Sequence, residues 1–245
     1  MTQALQQLDL ESLNKHVERM DPEQIVAWAA GQFGRDLVMS SSFGADSAVL
    51  LHMANSAMPG IRIIFVDTGY HFPETHKFRE ELTRRLKLNV LTYRTRNDPA
   101  EYLRRAGEDD PTWRKDIDAC CAVNKNEPFD RAIAELKPQA IMQGIRRDQN
   151  ASRARRRFIE WSDRYGGYSI SPLLNWRGKS IYDYLKRYDL PFHPLREKGY
   201  FSIGCNPLSC TRPANSDDPR SGRWAGQGKL ECGINLINSL DSAEL

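Results

Sequence analysis

Residues 36–47 read DLVMSSSFGADS and run directly into AVLLHMA, residues 48–54. A short apolar run that passes through small polar residues into an amphipathic stretch is typical of a β-strand, a turn and an α-helix. Small side chains let backbone N–H groups approach an anion, and the N-terminus of the following helix adds partial positive charge. The segment therefore predicts an anion-binding loop, although Ser42, Asp46 and Ser47 would serve equally as plain helix caps.

The same pattern recurs along the chain. Further apolar runs cover residues 61–66, 89–93, 139–143 and 168–170. Amphipathic stretches cover residues 46–57, 74–86 and 121–136. Strands that alternate with helices of this length predict an α/β fold with an open, mostly parallel sheet. Because ligands of such sheets bind beyond the carboxyl ends of the strands, the residues that follow strands are the site candidates.

The organisation of the chain changes near residue 190. Residues 2–32 predict helix, with Asp21-Pro22 starting a second helix. Residues 191–230 are rich in Pro, Gly, Ser and Asn and predict long loops that end in a polar tail. We therefore predict an α/β domain over residues 1–190 and a flexible C-terminal arm over residues 191–245.

The composition excludes several classes of protein. The chain has 245 residues, of which 40% are hydrophobic and 27% charged, and its formal net charge is +3. These values are ordinary for a globular protein, and so mild a charge does not require a nucleic acid or a membrane as partner. No run approaches the roughly 18 apolar residues of a membrane span, and the N-terminus has no apolar signal core. We expect a cytoplasmic protein with neither kind of partner.

Two more strands are followed by residues suited to a nucleotide. Asp67 follows the run at 61–66, where its carboxylate would bind a ribose hydroxyl or simply build a turn. The run at 139–143 leads into Arg146 and Arg147, the first of six arginines within residues 146–157. Planar guanidinium groups suit phosphate and sulfate oxygens, so we assign an oxyanion site to these two and surface charge to some of the later arginines.

The five cysteines form two pairs and one single residue. Cys120 and Cys121 are adjacent, and Cys205 and Cys210 enclose NPLS. Four thiolates complete a tetrahedral metal site or an iron–sulfur site, although buried free cysteines are also common. Cys232 is left over in KLECG, residues 229–233. A thiol on a C-terminal tail can act as a mobile nucleophile.

The motifs together resemble one known family. S-x-G-x-D-S at residues 42–47 is similar to the phosphate loop of the adenine-nucleotide alpha hydrolases, the PP-loop. The other matching motifs are VDTGYHFPET (66–75), GIRRDQ (144–149), DPRSGRW (218–224) and KLECG (229–233). The chain thus resembles the assimilatory sulfonucleotide reductases. The two cysteine pairs are similar to the iron–sulfur branch that uses adenylyl sulfate (APS), since the phosphoadenylyl sulfate (PAPS) branch keeps only the last cysteine.

The resemblance implies an oxidoreductase with a nucleotide-binding domain of the PP-loop type. Such an enzyme reduces APS to sulfite and AMP, in sulfate assimilation and cysteine biosynthesis, through an S-sulfo intermediate on Cys232. A thioredoxin or a glutaredoxin-like dithiol would then release the sulfite. We also expect a homo-oligomer.

Site residues follow from the same resemblance. A [4Fe–4S] cluster would be bound by Cys120, Cys121, Cys205 and Cys210, with the catalytic Lys125 beside cluster and sulfate. Substrate would contact Ser41, Ser42, Phe43, Gly44, Asp46 and Asp67 and the arginines Arg146, Arg147, Arg220 and Arg223. The chain departs from the family pattern at three places: four residues separate Cys205 and Cys210 instead of two, Asn235 replaces a His, and Asn150 stands where Ser is frequent.

Three other functions remain open at this stage. The first is a PAPS-specific reductase with vestigial cysteine pairs. The second is a PP-loop ATP pyrophosphatase, although such enzymes more often have Ser-Gly-Gly where this chain has Ser42-Phe43-Gly44. The third is a non-catalytic zinc or nucleic-acid module built from the cysteines and the arginine run.

Overall fold

The computed structural model describes residues 8–96, 98, 116–206, 210–214, 218–229, 231 and 233–235. Within this part of the chain six strands form one sheet. They are β1 (Leu37–Ser40), β2 (Arg62–Asp67), β3 (Asn89–Arg94), β4 (Ala140–Met142), β5 (Ile159–Ser162) and β6 (Gly167–Ile170). The α-helices are α1 (Leu10–Val17), α2 (Pro22–Phe33), α3 (Ser47–Ala57), α4 (Pro73–Leu86), α5 (Ile117–Cys121), α6 (Glu127–Leu136), α7 (Ala151–Ala154) and α8 (Gly178–Arg187).

The strand order is β3-β2-β1-β4-β6-β5, and every neighbouring pair is parallel except β5 with β6. This confirms the predicted open, mostly parallel α/β sheet. The middle strands are buried on both faces, which explains their continuous apolar sequences. The chain extends the sheet from β1 outward to β3 and then returns to the other side of β1 as β4. The order therefore reverses between β1 and β4, the position where open α/β sheets bind ligands.

Two sequence predictions differ from the structure in detail. The strand β5 was not predicted, because its residues IEWS are only partly apolar and it forms an edge hairpin with β6. The predicted helix at 121–136 begins earlier, at Ile117, and is interrupted by a π-helical turn at Ala122–Asn126. Pro128 follows that turn, and a proline lacks the N–H that an α-helix needs and crowds the carbonyl four residues earlier.

The described residues beyond 190 form only short 3₁₀ turns and isolated bridges. They nevertheless pack on the sheet domain: His71 pairs with Cys205, and Ile203 lies in an apolar cluster with Ala45 and Phe72. The described residues at 203–205 are thus packed on the sheet domain. The domain boundary at residue 190 stays a prediction. Among the described helices, none has the length and apolar character needed to cross a membrane.

Candidate active site

A cavity of about 210 Å³ opens at the reversal of strand order. Its floor is formed by Ser40–Ser42 after β1 and by Gln143–Arg146 after β4. The π-helical turn contributes Lys125, and the C-terminal region covers the cavity with Phe201–Gly204 and Arg220. The tertiary structure thus joins three sequence motifs that are far apart in the chain.

The loop after β1 turns sharply at Phe43. This residue has φ of +50°, a left-handed conformation that is uncommon outside glycine. Its ring is fully buried and packs edge-on against Phe65, with centroids 5.5 Å apart. The side chain thus anchors the loop in the core, and the predicted contact between Phe43 and substrate stays a prediction. The turn leaves Ser41, Ser42 and Gly44 on the cavity wall.

Asp46 does not cap helix α3 with its side chain. Its carboxylate accepts hydrogen bonds from Arg146 Nη1 at 2.6 Å and from Arg196 Nη1 at 3.0 Å. Arg146 is buried and also pairs with Asp148 at 3.0 Å. Burial opposes its charge, but the two carboxylates outweigh burial and raise the Arg146 pKa. The negative charge of Asp46 is thereby compensated, so the loop can face an anion.

Arg223 and Trp224 connect the cavity to the cysteines. The Arg223 guanidinium lies 4.4 Å from the centroid of the Trp224 ring, within the range of a cation–π interaction. Trp224 is buried and belongs to the apolar cluster that contains four cysteines. Gly204 makes room for Arg223, because a Cβ at that position would lie 2.4 Å from Nη2.

The four cysteines predicted as ligands come together in one buried cluster. Cys120, Cys121, Cys205 and Cys210 share it with Tyr70, Ile117 and Trp224. The adjacent pair reaches this cluster because it lies where the α-helix passes into the wider π-helical turn. Trp224 and Ile234 contact the cluster and also line the cavity.

Polar groups surround these sulfurs. Asn124 Nδ2 lies 3.4 Å from Sγ of Cys120, and Thr68 Oγ1 lies 3.4 Å from Sγ of Cys205. The buried Nε1 of Trp224 and Oγ1 of Thr211 have no hydrogen-bond partner within the described part of the chain. Four thiols with such donors fit an iron–sulfur cluster, which takes cysteine thiolates as ligands and hydrogen bonds to its sulfurs. In that same part of the chain, no three His, Cys, Asp or Glu side chains lie close enough to hold a single metal ion.

His71 also lines the cavity, although no chemical role was predicted for it. Its Nε2 lies 3.0 Å from the carbonyl oxygen of Val66, and its buried Nδ1 has no partner among the described residues. Burial, together with the charge of Lys125, lowers the His71 pKa to about 4, although the bond to Val66 opposes this shift. The imidazole is therefore neutral near pH 7.

The C-terminal segment around the expected nucleophile is anchored in the cavity. Glu231 accepts two hydrogen bonds from Arg153, at 2.5 Å from Nε and 2.9 Å from Nη2. Burial disfavours the charge of Glu231, yet Arg153 and Arg220 prevail and lower its pKa to about 2. Cys232 itself lies outside the described residues, so its predicted role stays a prediction.

Two predicted binding residues lie away from the cavity wall. Asp67 is buried and pairs with Arg94 at 2.6 Å, while the N–H of Gly69 donates to its other oxygen at 3.1 Å. Burial opposes this charge, but these two donors lower the Asp67 pKa. Arg147 donates to Asn175 at 2.5 Å and to the carbonyl oxygen of Arg156 at 3.0 Å. Both assignments to substrate stay predictions.

The sequence reasoning missed other cavity residues. Arg153 was not assigned a role in the site, yet it is buried beside Glu231. Glu231 belongs to the KLECG motif, and its position next to a suspected nucleophile was a usable signal. Arg196 had no local signal, because it reaches Asp46 across 150 positions of sequence.

The charge of the cavity suits a small dianion. Within the described residues, five cationic side chains line it: Lys125, Arg146, Arg153, Arg220 and Arg223. Two carboxylates, Asp46 and Glu231, oppose them. The N-terminus of α3 adds partial positive charge at Ser47. Such a site can hold phosphate or sulfate groups and stabilise charge that develops on a leaving oxygen.

Comparison with known proteins gives a consistent result. The family model described as "Phosphoadenosine phosphosulfate reductase domain" matches residues 36–213. A phosphoadenosine 5'-phosphosulfate reductase of Gloeobacter violaceus is 39% identical over 236 residues, covering 94% of this chain and 95% of the relative. An adenosine 5'-phosphosulfate reductase of Salinibacter ruber is 34% identical over 227 residues, covering 92% of this chain and 88% of the relative.

Solved structures agree on the fold. The crystal structure of a phosphoadenylyl-sulfate reductase from Candida auris, in complex with phosphate, superposes with a TM-score of 0.71 at 26% identity. That match covers 84% of this chain and 98% of the other. Yeast FAD synthetase superposes with a TM-score of 0.54 at 19% identity, covering 86% of this chain and 70% of the other, which concerns the fold alone.

Proposed function

The chain belongs to the phosphoadenosine phosphosulfate reductase family and is an oxidoreductase that reduces a sulfonucleotide in sulfate assimilation, and we propose that its substrate is APS. Relatives named for PAPS and a relative named for APS both match over most of the chain. The names therefore leave the nucleotide open, and the proposal rests on the chain's own residues.

One observation carries the proposal. The four paired cysteines meet in one buried cluster that shares Trp224 and Ile234 with the cation-lined cavity. The family resemblance associates the two cysteine pairs with the APS branch. The two cysteine segments, at 120–121 and 205–210, meet beside the cavity, as the ligands of one shared cofactor would.

A [4Fe–4S] cluster is the cofactor that this donor set supports, with Cys120, Cys121, Cys205 and Cys210 as its ligands. It takes four thiolates, and its potential and stability depend on hydrogen bonds to sulfur, for which Asn124 and Thr68 are placed. When bound, such a cluster would supply a covalent link between the helix α5 and the C-terminal region. Lys125 follows Cys121 on the π-helical turn and lines the cavity, a position that would adjoin both cluster and sulfate.

The proposed chemistry uses two half-reactions. In the first, the Cys232 thiolate attacks the sulfate sulfur of APS, an S–S bond forms, and the S–O bond breaks with its electron pair on AMP. In the second, one thiol of a thioredoxin or glutaredoxin-like protein attacks Sγ of Cys232 and releases sulfite. The second thiol then frees Cys232 and closes a disulfide in the reductant. Sulfur is reduced from the sulfate to the sulfite level while two thiols are oxidised.

The cavity residues address the main obstacle, which is repulsion between a thiolate and a sulfate. Lys125, Arg220 and Arg223 would offset that repulsion and stabilise charge on the departing phosphate. The same cations would lower the pKa of an approaching thiol. A thiolate nucleophile and a thiol reductant also suit a reducing compartment such as the cytoplasm.

Sulfite formation from APS and from PAPS, with a thioredoxin system as reductant, tests the proposal. We expect kcat/KM to be higher for APS by about tenfold or more, equivalent to ~1.4 kcal/mol. A preference for PAPS would replace the proposal with the PAPS-specific alternative.

Mass spectrometry after mixing with APS and no reductant should show one added SO3 unit on Cys232. Sedimentation of the purified protein tests the expected homo-oligomer.

A further inference from the structure

The carboxylate of Asp46 places a negative charge on the wall of a cavity that otherwise suits anions. Its Oδ2 pairs with Nη1 of Arg146 at 2.6 Å. Arg146 does not neutralise this carboxylate alone, because its Nε also pairs with Asp148 at 3.0 Å. One guanidinium thus serves two carboxylates, so these three side chains together carry one net negative charge.

Arg196 supplies the missing positive charge from behind the cavity wall. Its Nη1 pairs with the second oxygen of Asp46, Oδ1, at 3.0 Å. With Arg196 included, two guanidinium groups face two carboxylates and the network is neutral. Asp46 lines the cavity and Arg196 does not. Arg196 is therefore placed to act on a bound anion through Asp46 and not by contact.

The turn that carries Arg196 is anchored on the sheet domain. It is a 3₁₀ turn, Pro194–Lys198, and it follows the fully buried His193. Nε2 of His193 lies 3.2 Å from Oγ1 of Thr75 in the first turn of α4, and Nδ1 accepts from the N–H of Leu195 at 3.2 Å. The backbone at Arg196 is thus fixed relative to the loops that line the cavity.

Two aromatic rings flank the guanidinium group of Arg196. The ring centroid of Phe192 lies 5.6 Å from it and that of Phe201 lies 6.0 Å from it. Both distances are within the range of a cation–π interaction. These rings favour the conformation in which Arg196 reaches Asp46.

We propose that Arg196 is a positioning residue that neutralises Asp46 and thereby sets the affinity of the cavity for the anionic part of the nucleotide. The inference deepens the proposed function and rests on it for the nucleotide that the cavity binds. Without Arg196, the remaining network would carry one net negative charge at the cavity wall, which would repel a phosphate or sulfate group.

This role depends on the charge of the ligand, which a purely structural role would not. Loss of Arg196 should weaken binding of AMP, which carries a 5'-phosphate, and spare adenosine, which carries no charge. The effect should also shrink as the salt concentration rises. Arg196 and Asp46 are 23% and 21% exposed, so dissolved ions can screen the charge that the substitution leaves.

The test measures equilibrium binding of AMP and adenosine by the full-length protein, purified anaerobically, at low salt. For Arg196→Met we expect Kd for AMP to rise about tenfold and Kd for adenosine to change by less than about twofold. Arg131→Met is the matched control, because Arg131 is 21% exposed, pairs with Glu127 at 3.1 Å and lies 5.7 Å from the Tyr93 ring, yet does not line the cavity. Both Kd values of this control should stay within about twofold of those of the unsubstituted protein.

A second substitution separates the charge from the contact. Asp46→Asn in the Arg196→Met background removes the uncompensated carboxylate, and should bring Kd for AMP to within about threefold of the unsubstituted value. If Arg196 were only a structural tie between the loop and the turn, the double variant would bind AMP no better than Arg196→Met. Arg196→Lys keeps the charge, and its Kd for AMP should also stay within about threefold.

Arg196→Gln covers the case in which Arg196→Met does not fold, because its amide can still donate to Asp46 but carries no charge. It should show the same selective loss of AMP binding. Equal weakening of AMP and adenosine, or no recovery in the double variant, would overturn the inference. Tighter binding of adenosine 3',5'-bisphosphate than of AMP by the unsubstituted protein would instead count against the proposed substrate, and the bisphosphate would then replace AMP in the Arg196 comparison.

Discussion

Nη1 of Arg146 lies 2.6 Å from Oδ2 of Asp46 and ties the loop after β4 to the phosphate loop after β1. These two loops flank the reversal of strand order, where the cavity opens. The bond both fixes the cavity floor and compensates a carboxylate that would otherwise repel an anionic substrate.

Arg146→Met should therefore damage both stability and nucleotide binding. Removing one partner of a buried ion pair costs about 3 kcal/mol, because the other charge loses its compensation. Arg85→Met is the matched control, since that side chain pairs with the exposed Asp189 and does not line the cavity, and its cost should stay within about 1 kcal/mol. Urea unfolding and equilibrium binding of AMP measure the two effects. Equal losses in the two variants would contradict this account of the pair.

Gly204→Ala should raise KM for the sulfonucleotide. The added Cβ would lie 2.4 Å from Nη2 of Arg223, so the guanidinium must move off Trp224. We expect a loss of about tenfold in kcat/KM, the effect of one displaced charged contact. Gly178→Ala is the control, because a Cβ there meets nothing within 4 Å. An unchanged KM in Gly204→Ala would show that Arg223 does not contact substrate from this position.

His193 should make the protein sensitive to mild acid. It is fully buried, its Nδ1 accepts from the N–H of Leu195 at 3.2 Å, and burial lowers its pKa to about 4 despite Glu74. Between pH of about 6.5 and 4 only the unfolded chain binds the proton, so stability falls as pH falls. This residue contributes up to about 1.4 kcal/mol per pH unit in that window.

Unfolding by urea at several pH values measures this slope. His193→Gln removes the titrating group, so its free energy of unfolding should fall less steeply between pH of about 6.5 and 4 than that of the unsubstituted protein. Parallel curves for the two proteins would mean that His193 binds its proton equally in the folded and unfolded states.

The proposed cluster predicts a specific pattern of iron loss. Cys121→Ser and Cys205→Ser should reduce iron from about four atoms per chain to less than one and remove the brown colour. Cys232→Ser should keep both, because the proposed nucleophile is not a ligand, yet it should form no sulfite. Iron and sulfide analysis after anaerobic purification checks each variant. Retention of full iron by Cys205→Ser would remove that residue from the proposed ligand set.

Much of the fold could be predicted from local sequence. The strands β1 to β4 and β6 and the helices α3 and α4 follow from apolar periodicity, which depends only on which side chains must be buried. The edge strand β5 was not predicted, because an edge strand with one solvated face has a weak apolar pattern. The π-helical turn was also not predicted, although Pro128 is a local signal for an interrupted helix.

The sequence by itself determined the identities of the reactive groups and the order of the motifs, since these are properties of the chain. It predicted the loop after β1, both cysteine pairs and the arginines at 220 and 223. Only the tertiary structure decided the partners of the charged groups. Asp46 meets Arg196 across 150 positions, and Glu231 meets Arg153 across 78, because the region beyond residue 190 packs back on the loops that follow β1 and β4. Periodicity over a few residues carries no information about contacts at that separation.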